Sequence, residues 1–207
     1  MAKSKKKEDV SAEEKIKQAA RRLFTEKGFD AVKTRDIAAE AGINLALLNY
    51  YFRSKEKLFD IVMLENFDQF VEQLIPVFTD EKLSVEDVFA QAAVSYIDML
   101  KSNPDLPFFI MNTMRESSSK LESMRQKMQG VRTGFIKKVE QSMKDGKIKP
   151  VHMTHLMMNF MGLVVFPFIG KPMLMRINGL NQKEFDALMD ERKELVPIWL
   201  KAIIKEK

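Results

Sequence analysis

The sequence predicts an all-α chain of about nine helices, a small three-helix unit at the N-terminus followed by a larger helical one. Three observations carry this. Apolar residues recur at i, i+3 and i+4 in segment after segment. Ser, Thr or Asn opens most segments, often with Glu or Asp three residues on, while Gly or Pro closes them. No stretch alternates apolar and polar residues as a half-buried strand does, and no internal repeat is present. At 207 residues and 45% hydrophobic content, the chain is long enough to bury a real core in one large domain or two small ones.

The elements follow in order. Residues 1–10, with Lys3, Lys5, Lys6 and Lys7, are expected to form a basic flexible arm, which read alone is equally a solubilising tail. Ser11 and Glu14 make a capping-box pattern for a first helix carrying Ile16, Ala19, Ala20, Leu23 and Phe24. Thr34 is expected to cap a short second helix with Ile37, Ala38 and Ala41 on its buried face. Gly42, lacking a Cβ, then supplies a left-handed turn, and Ile43 folds back onto the core. Asn44 caps a third helix in which Leu48 and Phe52 are buried while Leu45, Ala46, Leu47, Asn49 and Tyr50 face away or flank the seam.

Ser54 caps a long fourth helix expected to reach Ile75 before Pro76 helps to stop it. Ser84 with Asp87 opens the fifth, which ends before Asn103-Pro104, and Pro107 begins a sixth that reaches Arg115. The seventh spans Lys120 to Lys144, the eighth starts at Pro150 and closes at Gly170-Lys171-Pro172, and Asn181 with Glu184 caps a ninth. Pro167 and Pro197 each remove a backbone donor and are expected to kink the last two helices. Residues 11–57 are thus expected to form a helix-turn-helix DNA-binding domain, and 58–207 a second, larger domain.

Several classes are excluded by composition. There are no cysteines, so disulfides and thiolate chemistry are absent, and a reducing cytoplasm is the expected location. The charged N-terminus is followed by no apolar segment of the secretory kind. Leu156 to Gly170, the longest apolar run, contains Asn159, Gly162 and Pro167 and falls short of the ~18 residues of a membrane span. His152 and His155 have no carboxylate beside them, so neither a metal nor a cofactor is expected. With no Gly-rich phosphate loop and no nucleophile paired with His, the chain does not read as an enzyme. Residues 1–60 carry 14 basic and 10 acidic side chains, so most of the net +5 charge lies around the helix-turn-helix.

Three linked segments resemble the tetracycline-repressor (TetR) family of transcription regulators. They are the first helix with its Glu26-Lys27-Gly28-Phe29-Asp30 loop, Thr34-Arg35-Asp36-Ile37-Ala38 with Ala41-Gly42-Ile43, and Leu48-Asn49-Tyr50-Tyr51-Phe52-Arg53-Ser54-Lys55-Glu56-Lys57-Leu58. The resemblance covers residues 11–62, about a quarter of the chain. It implies a repressor that binds a palindromic double-stranded operator as a homodimer through the eighth and ninth helices. Dimerisation also answers a physical need, because one recognition helix reads too few bases. The apolar stripe Leu188, Leu195, Ile198, Trp199, Ala202 and Ile203 is available for it.

The resemblance places Tyr50 and Tyr51 near the phosphate backbone. Thr34 at a helix N-terminus and Lys55 in the first turn of the fourth helix are positioned to meet phosphates. For base edges, Arg35 can contact guanine, Asn49 adenine, and Leu45 or Ala46 a thymine methyl group, with Asn44 and Leu47 flanking them. Leu45, Ala46 and Leu47 stand where relatives often hold polar or small residues, and Asn49 where Tyr is common, so the hydrogen-bonding code is thin.

The larger domain holds many of the 15 Met and 15 Phe at helical spacing. Read alone these are core; in the family this region is an inducer pocket, and a small hydrophobic or amphipathic ligand is expected there. Met63, Phe67, Met114, Met157, Phe160 and Met161 are the candidate apolar lining, and Asn112 a candidate polar contact. The fourth helix is expected to couple pocket to DNA. A regulator without a small-molecule inducer, controlled by a protein partner or by abundance, is the alternative.

Overall fold

The computed structural model describes residues 2–115 and 119–205. Among them lie eleven helices and no strands: α1 (Ala2–Lys27), α2 (Thr34–Glu40), α3 (Leu45–Phe52), α4 (Lys55–Thr79), α5 (Val85–Ser102), α6 (Leu106–Arg115), α7 (Ser119–Lys144), α8 (Met153–Val164), α9 (Phe166–Ile169), α10 (Lys171–Asn178) and α11 (Gln182–Ile204). The chain divides into two compact units. One comprises Met1–Phe67 with Asn103–Phe109; the other comprises Asp68–Ser102 with Ile110–Lys207.

The first unit is built on a seam of side chains shielded from solvent. Ile16, Ala20 and Phe24 of α1, Ile37 of α2, Leu48 and Phe52 of α3 and Leu58 and Val62 of α4 are all buried, as the helical spacing predicts. A polar network fastens α1 to α4: Lys17 and Arg21 pair with Glu65 at 2.6 and 2.9 Å, and Arg21 Nε donates to Asn66 Oδ1 at 2.8 Å. Buried Asn66 donates in turn to Asn103 Oδ1.

The second unit is organised by a chain of aromatic rings in edge or tilted contact. Phe78 meets Phe135, Phe135 meets Phe89, Phe89 meets Phe160, Phe160 meets Tyr96, and Tyr96 meets Phe70, with centroids 4.6 to 5.4 Å apart. A second cluster joins Ile97 and Leu100 of α5 to Phe168, Phe185 and Met189. Lys101 pairs with Asp190 at 2.7 Å and Lys193 with Asp98, which ties α11 along α5. These lysines hold the Asp190 carboxyl below its ordinary range, with the Lys101 hydrogen bond as the largest cause. α7 passes the end of α4 at Gly134, where a Cβ would be in ordinary contact with the Phe78 carbonyl oxygen at 3.7 Å.

Four expected boundaries move. α1 begins at Ala2, so Ser11 lies inside the helix; the Lys-rich residues before it are good helix formers. The N-cap of α2 is Lys33 and not Thr34, because the Asp36 carboxylate accepts the Lys33 N–H at 3.1 Å and closes the turn one residue earlier. α4 continues through Pro76 to Thr79, whose hydroxyl donates to the Ile75 carbonyl at 2.7 Å; Pro76 removes one ladder bond, and the helix runs only three residues beyond it. The predicted eighth helix is two helices, α8 and α9, and the stretch read as its close holds a further one, α10. Pro167 and Pro172 stand in the first turns of α9 and α10, where the absent N–H leaves no bond unmade, so they start new helices.

Candidate nucleic-acid interface

The turn between α2 and α3 is set by Gly42, whose φ of +67° is the left-handed conformation expected of it. Ala41 closes α2, and the Ile43 N–H returns to the Ala38 carbonyl at 3.0 Å. Asn44 then caps α3, its Oδ1 accepting the Leu47 N–H at 2.8 Å. That bond occupies Oδ1 of Asn44, whose side chain is exposed. Leu48 and Phe52 pin one face of α3 to the core, so the opposite face is presented whole.

On that face Leu45, Ala46, Asn49 and Tyr50 are exposed, and Leu47 is half-buried beside them. Tyr50 is 77% exposed, too much for a core aromatic, and its ring stands edge-on to half-buried Tyr51 at 5.4 Å. Arg35 is exposed in the first turn of α2, and Thr34 beside it is half-buried. These residues share two short helices joined by one turn, so the structure brings the predicted base and phosphate contacts together, Lys55 excepted.

Lys55 is engaged inward. Its Nζ donates to the carbonyls of Phe29 and Val32 at 2.9 and 3.0 Å and lies 4.0 Å from the Phe29 ring centroid. Two of its three protons therefore hold the loop between α1 and α2, and one is left for a phosphate. Lys33, Arg53 and Lys57 are exposed cations close by in sequence that the site reading passed over. Arg53 closes α3 with φ +55°, a conformation few non-glycine residues adopt; its position directly after the recognition helix was the available signal.

The candidate ligand residues are divided between the two units. Met63 and Phe67 are buried in the first unit; Asn112 and Met114 are exposed on α6. Met157, Phe160 and Met161 follow one another along α8, with Phe160 inside the aromatic chain and the two methionines half-buried. An open groove of about 700 Å³ runs in the second unit beside α7, lined by Phe78, Ser84, Lys137, Lys138 and Gln141 among others and by none of the seven. His152 caps α8 through Nδ1, and no group of three metal-ligating side chains occurs among the described residues. Nor is any helix among them long and apolar enough to cross a membrane.

Residues 16–62 match the family model described as bacterial regulatory proteins, tetR family. The chain is 20% identical over 201 residues to the probable HTH-type transcriptional regulator YttP of Bacillus subtilis, covering 95% of each. A TetR transcription regulator from Haloarcula marismortui superposes with a TM-score of 0.67 at 18% identity, over 95% of this chain and 100% of that one. The regulator FadR of Bacillus subtilis, solved in complex with stearoyl-CoA, superposes with a TM-score of 0.55 at 20% identity, over 87% and 95%.

Proposed function

We propose that the chain is a DNA-binding transcription regulator of the TetR family and not an enzyme, a repressor that binds a palindromic operator as a homodimer and is released by an apolar or amphipathic ligand. The observation that carries the DNA-binding part is the outward face of α3. Leu45, Ala46, Asn49 and Tyr50 are held clear of a seam that Leu48 and Phe52 bury completely. Arg35 and Asn49 supply base contacts; Thr34, Tyr50, Tyr51 and the remaining proton of Lys55 supply phosphate contacts. Dimerisation uses α8 and α11, where Met158, Leu188, Ile198 and Trp199 are exposed apolar side chains. A two-fold pair then sets two α3 helices in successive major grooves, roughly 34 to 36 Å apart.

For the ligand, half-buried Met157 and Met161 beside Phe160 offer soft side chains that can part around an acyl chain. The stearoyl-CoA bound by FadR supports that chemical class. A second reading, a regulator without a small-molecule inducer that answers to a protein partner or to abundance, is favoured by the close ring contacts of Phe160 and the exposure of Asn112 and Met114. Selection of duplexes from a random library, followed by titration of the bound complex with long-chain acyl-CoA and fatty acid, tests both. Recovery of an inverted repeat that the acyl compound releases supports the first. Recovery of the repeat with no release by any acyl compound favours the second.

A further inference from the structure

Residues Asn103–Phe109 belong to the first unit although the chain on either side of them, α5 and the rest of α6, belongs to the second. Within this segment the Asp105 carboxylate reaches the loop that precedes α2. Its Oδ2 accepts the Phe29 N–H at 2.8 Å, while Lys55 Nζ takes the Phe29 carbonyl at 2.9 Å and the Val32 carbonyl at 3.0 Å. Both polar groups of Phe29 are thus held by opposite charges from outside the loop. The ring is held too, packing on Phe59 at 4.6 Å, and Phe59 packs on Phe109 at 6.0 Å. Gly28 turns the chain into the loop with a φ of +76°, and a Cβ there would be in ordinary contact with Asp105 Oδ2 at 3.8 Å.

The loop has little structure of its own. Its internal bond, Val32 N–H to the Phe29 carbonyl, is long at 3.4 Å. The clamp, together with the Val32 side chain buried in the core, sets the loop's shape, and the loop ends at Lys33, the residue that caps α2. α2 in turn packs on α3, with Ile37 and Leu48 both buried. We infer that Asp105 is a positioning residue for DNA binding: by fixing the Phe29–Lys33 loop it sets where α2 starts, and through α2 the pose of α3. This rests on the DNA-binding reading above.

The test uses the full chain and the variants Asp105→Ala and Asp105→Asn, the second of which keeps an acceptor oxygen. Amide hydrogen exchange is followed on the protein alone, and affinity is measured for a labelled random-sequence duplex at low salt and for a duplex selected by the parent. The expected result is faster exchange at Phe29 and through Val32–Asp36 in Asp105→Ala, with α5 and α11 unchanged. DNA affinity should fall about tenfold or more, the size expected when a charged hydrogen-bond partner is lost, and Asp105→Asn should recover most of both. If Asp105→Ala fails to fold, Asp105→Glu, which displaces the carboxylate by one methylene, should show the same two losses. Unchanged Phe29 exchange, or fast exchange with undiminished DNA affinity, overturns the inference. A parent that binds neither duplex instead overturns the DNA-binding reading, and this inference with it.

Discussion

At the scale of single residues, Lys55 shows how position in sequence and use in structure diverge. Lying in the first turn of α4, where a cation opposes the helix dipole, it reads as a group awaiting an anion. The two loop carbonyls compensate it instead. Lys55→Met keeps the aliphatic stem but abandons both carbonyls, and is expected to lower stability by about 2 to 3 kcal/mol in denaturant unfolding, with only a secondary effect on DNA. Undiminished stability would return Lys55 to the set of pure phosphate contacts. Arg35→Ala and Asn49→Ala should relax base preference, by about 1 to 3 kcal/mol for each good contact, whereas Tyr50→Ala should weaken all duplexes alike. Competition between selected and random duplexes reads the difference.

Tyr96 carries a pH signature. Burial among Phe70 and Phe160 pushes its phenol from 10.0 up to about 12. Between those values the unfolded chain releases the proton while the folded chain retains it, so stability falls as pH rises through that window, by about 2 to 3 kcal/mol in all. Tyr96→Phe has no such proton. Unfolding curves of parent and variant should agree in shape below pH 10 and separate above it; parallel behaviour throughout would mean that the phenol is solvated.

At the scale of elements, α11 divides its apolar residues between two tasks. Phe185, Met189, Val196, Leu200 and Ile204 are buried within the unit, whereas Ile198 is 62% exposed and Trp199 and Leu188 are also open. Arg192 links this second face to α8: its Nη2 donates to the Leu163 carbonyl at 2.7 Å, its guanidinium lies 5.1 Å from the Trp199 ring, and burial holds its pKa below the usual value. Because Ile198 contributes little inside the protomer, Ile198→Glu should dissociate the proposed dimer without unfolding the chain. Sedimentation should then show a protomer mass with an unchanged helical spectrum. A dimer mass retained by the variant would move the interface off α11.

At the scale of the whole molecule, DNA binding and ligand binding are expected to be linked thermodynamically. If the dimer neutralises about six to ten phosphates, affinity should fall about 10³- to 10⁵-fold between ~50 and ~200 mM salt, and a flat salt response would speak against that footprint. A ligand that releases DNA must bind less well when DNA is present, by the same factor. Coupling of about 1 to 3 kcal/mol corresponds to some 5- to 150-fold. Calorimetric titration of the acyl ligand with and without the selected duplex checks this; equal affinities would leave the partner-controlled reading standing.

The sequence by itself determined the helical class, the turn at Gly42, the cap at Asn44 and the burial of Leu48 and Phe52, because each depends on residues within one or two turns of one another. It also carried the likeness to the tetR-family model, through motifs confined to residues 16–62. Only the tertiary structure decided how charges and prolines are used. Whether Lys55 meets solvent or the Phe29 carbonyl depends on a loop 26 residues away, and the contact from Asp105 to Phe29 spans 76. Pro167 reads as a kink in any continuous apolar run, but becomes a helix start once the chain turns at Val165. That Met63 and Phe160 are buried while Met114 is exposed has the same origin: helical periodicity fixes which side of a helix is apolar, and the packing of other helices fixes what that side meets.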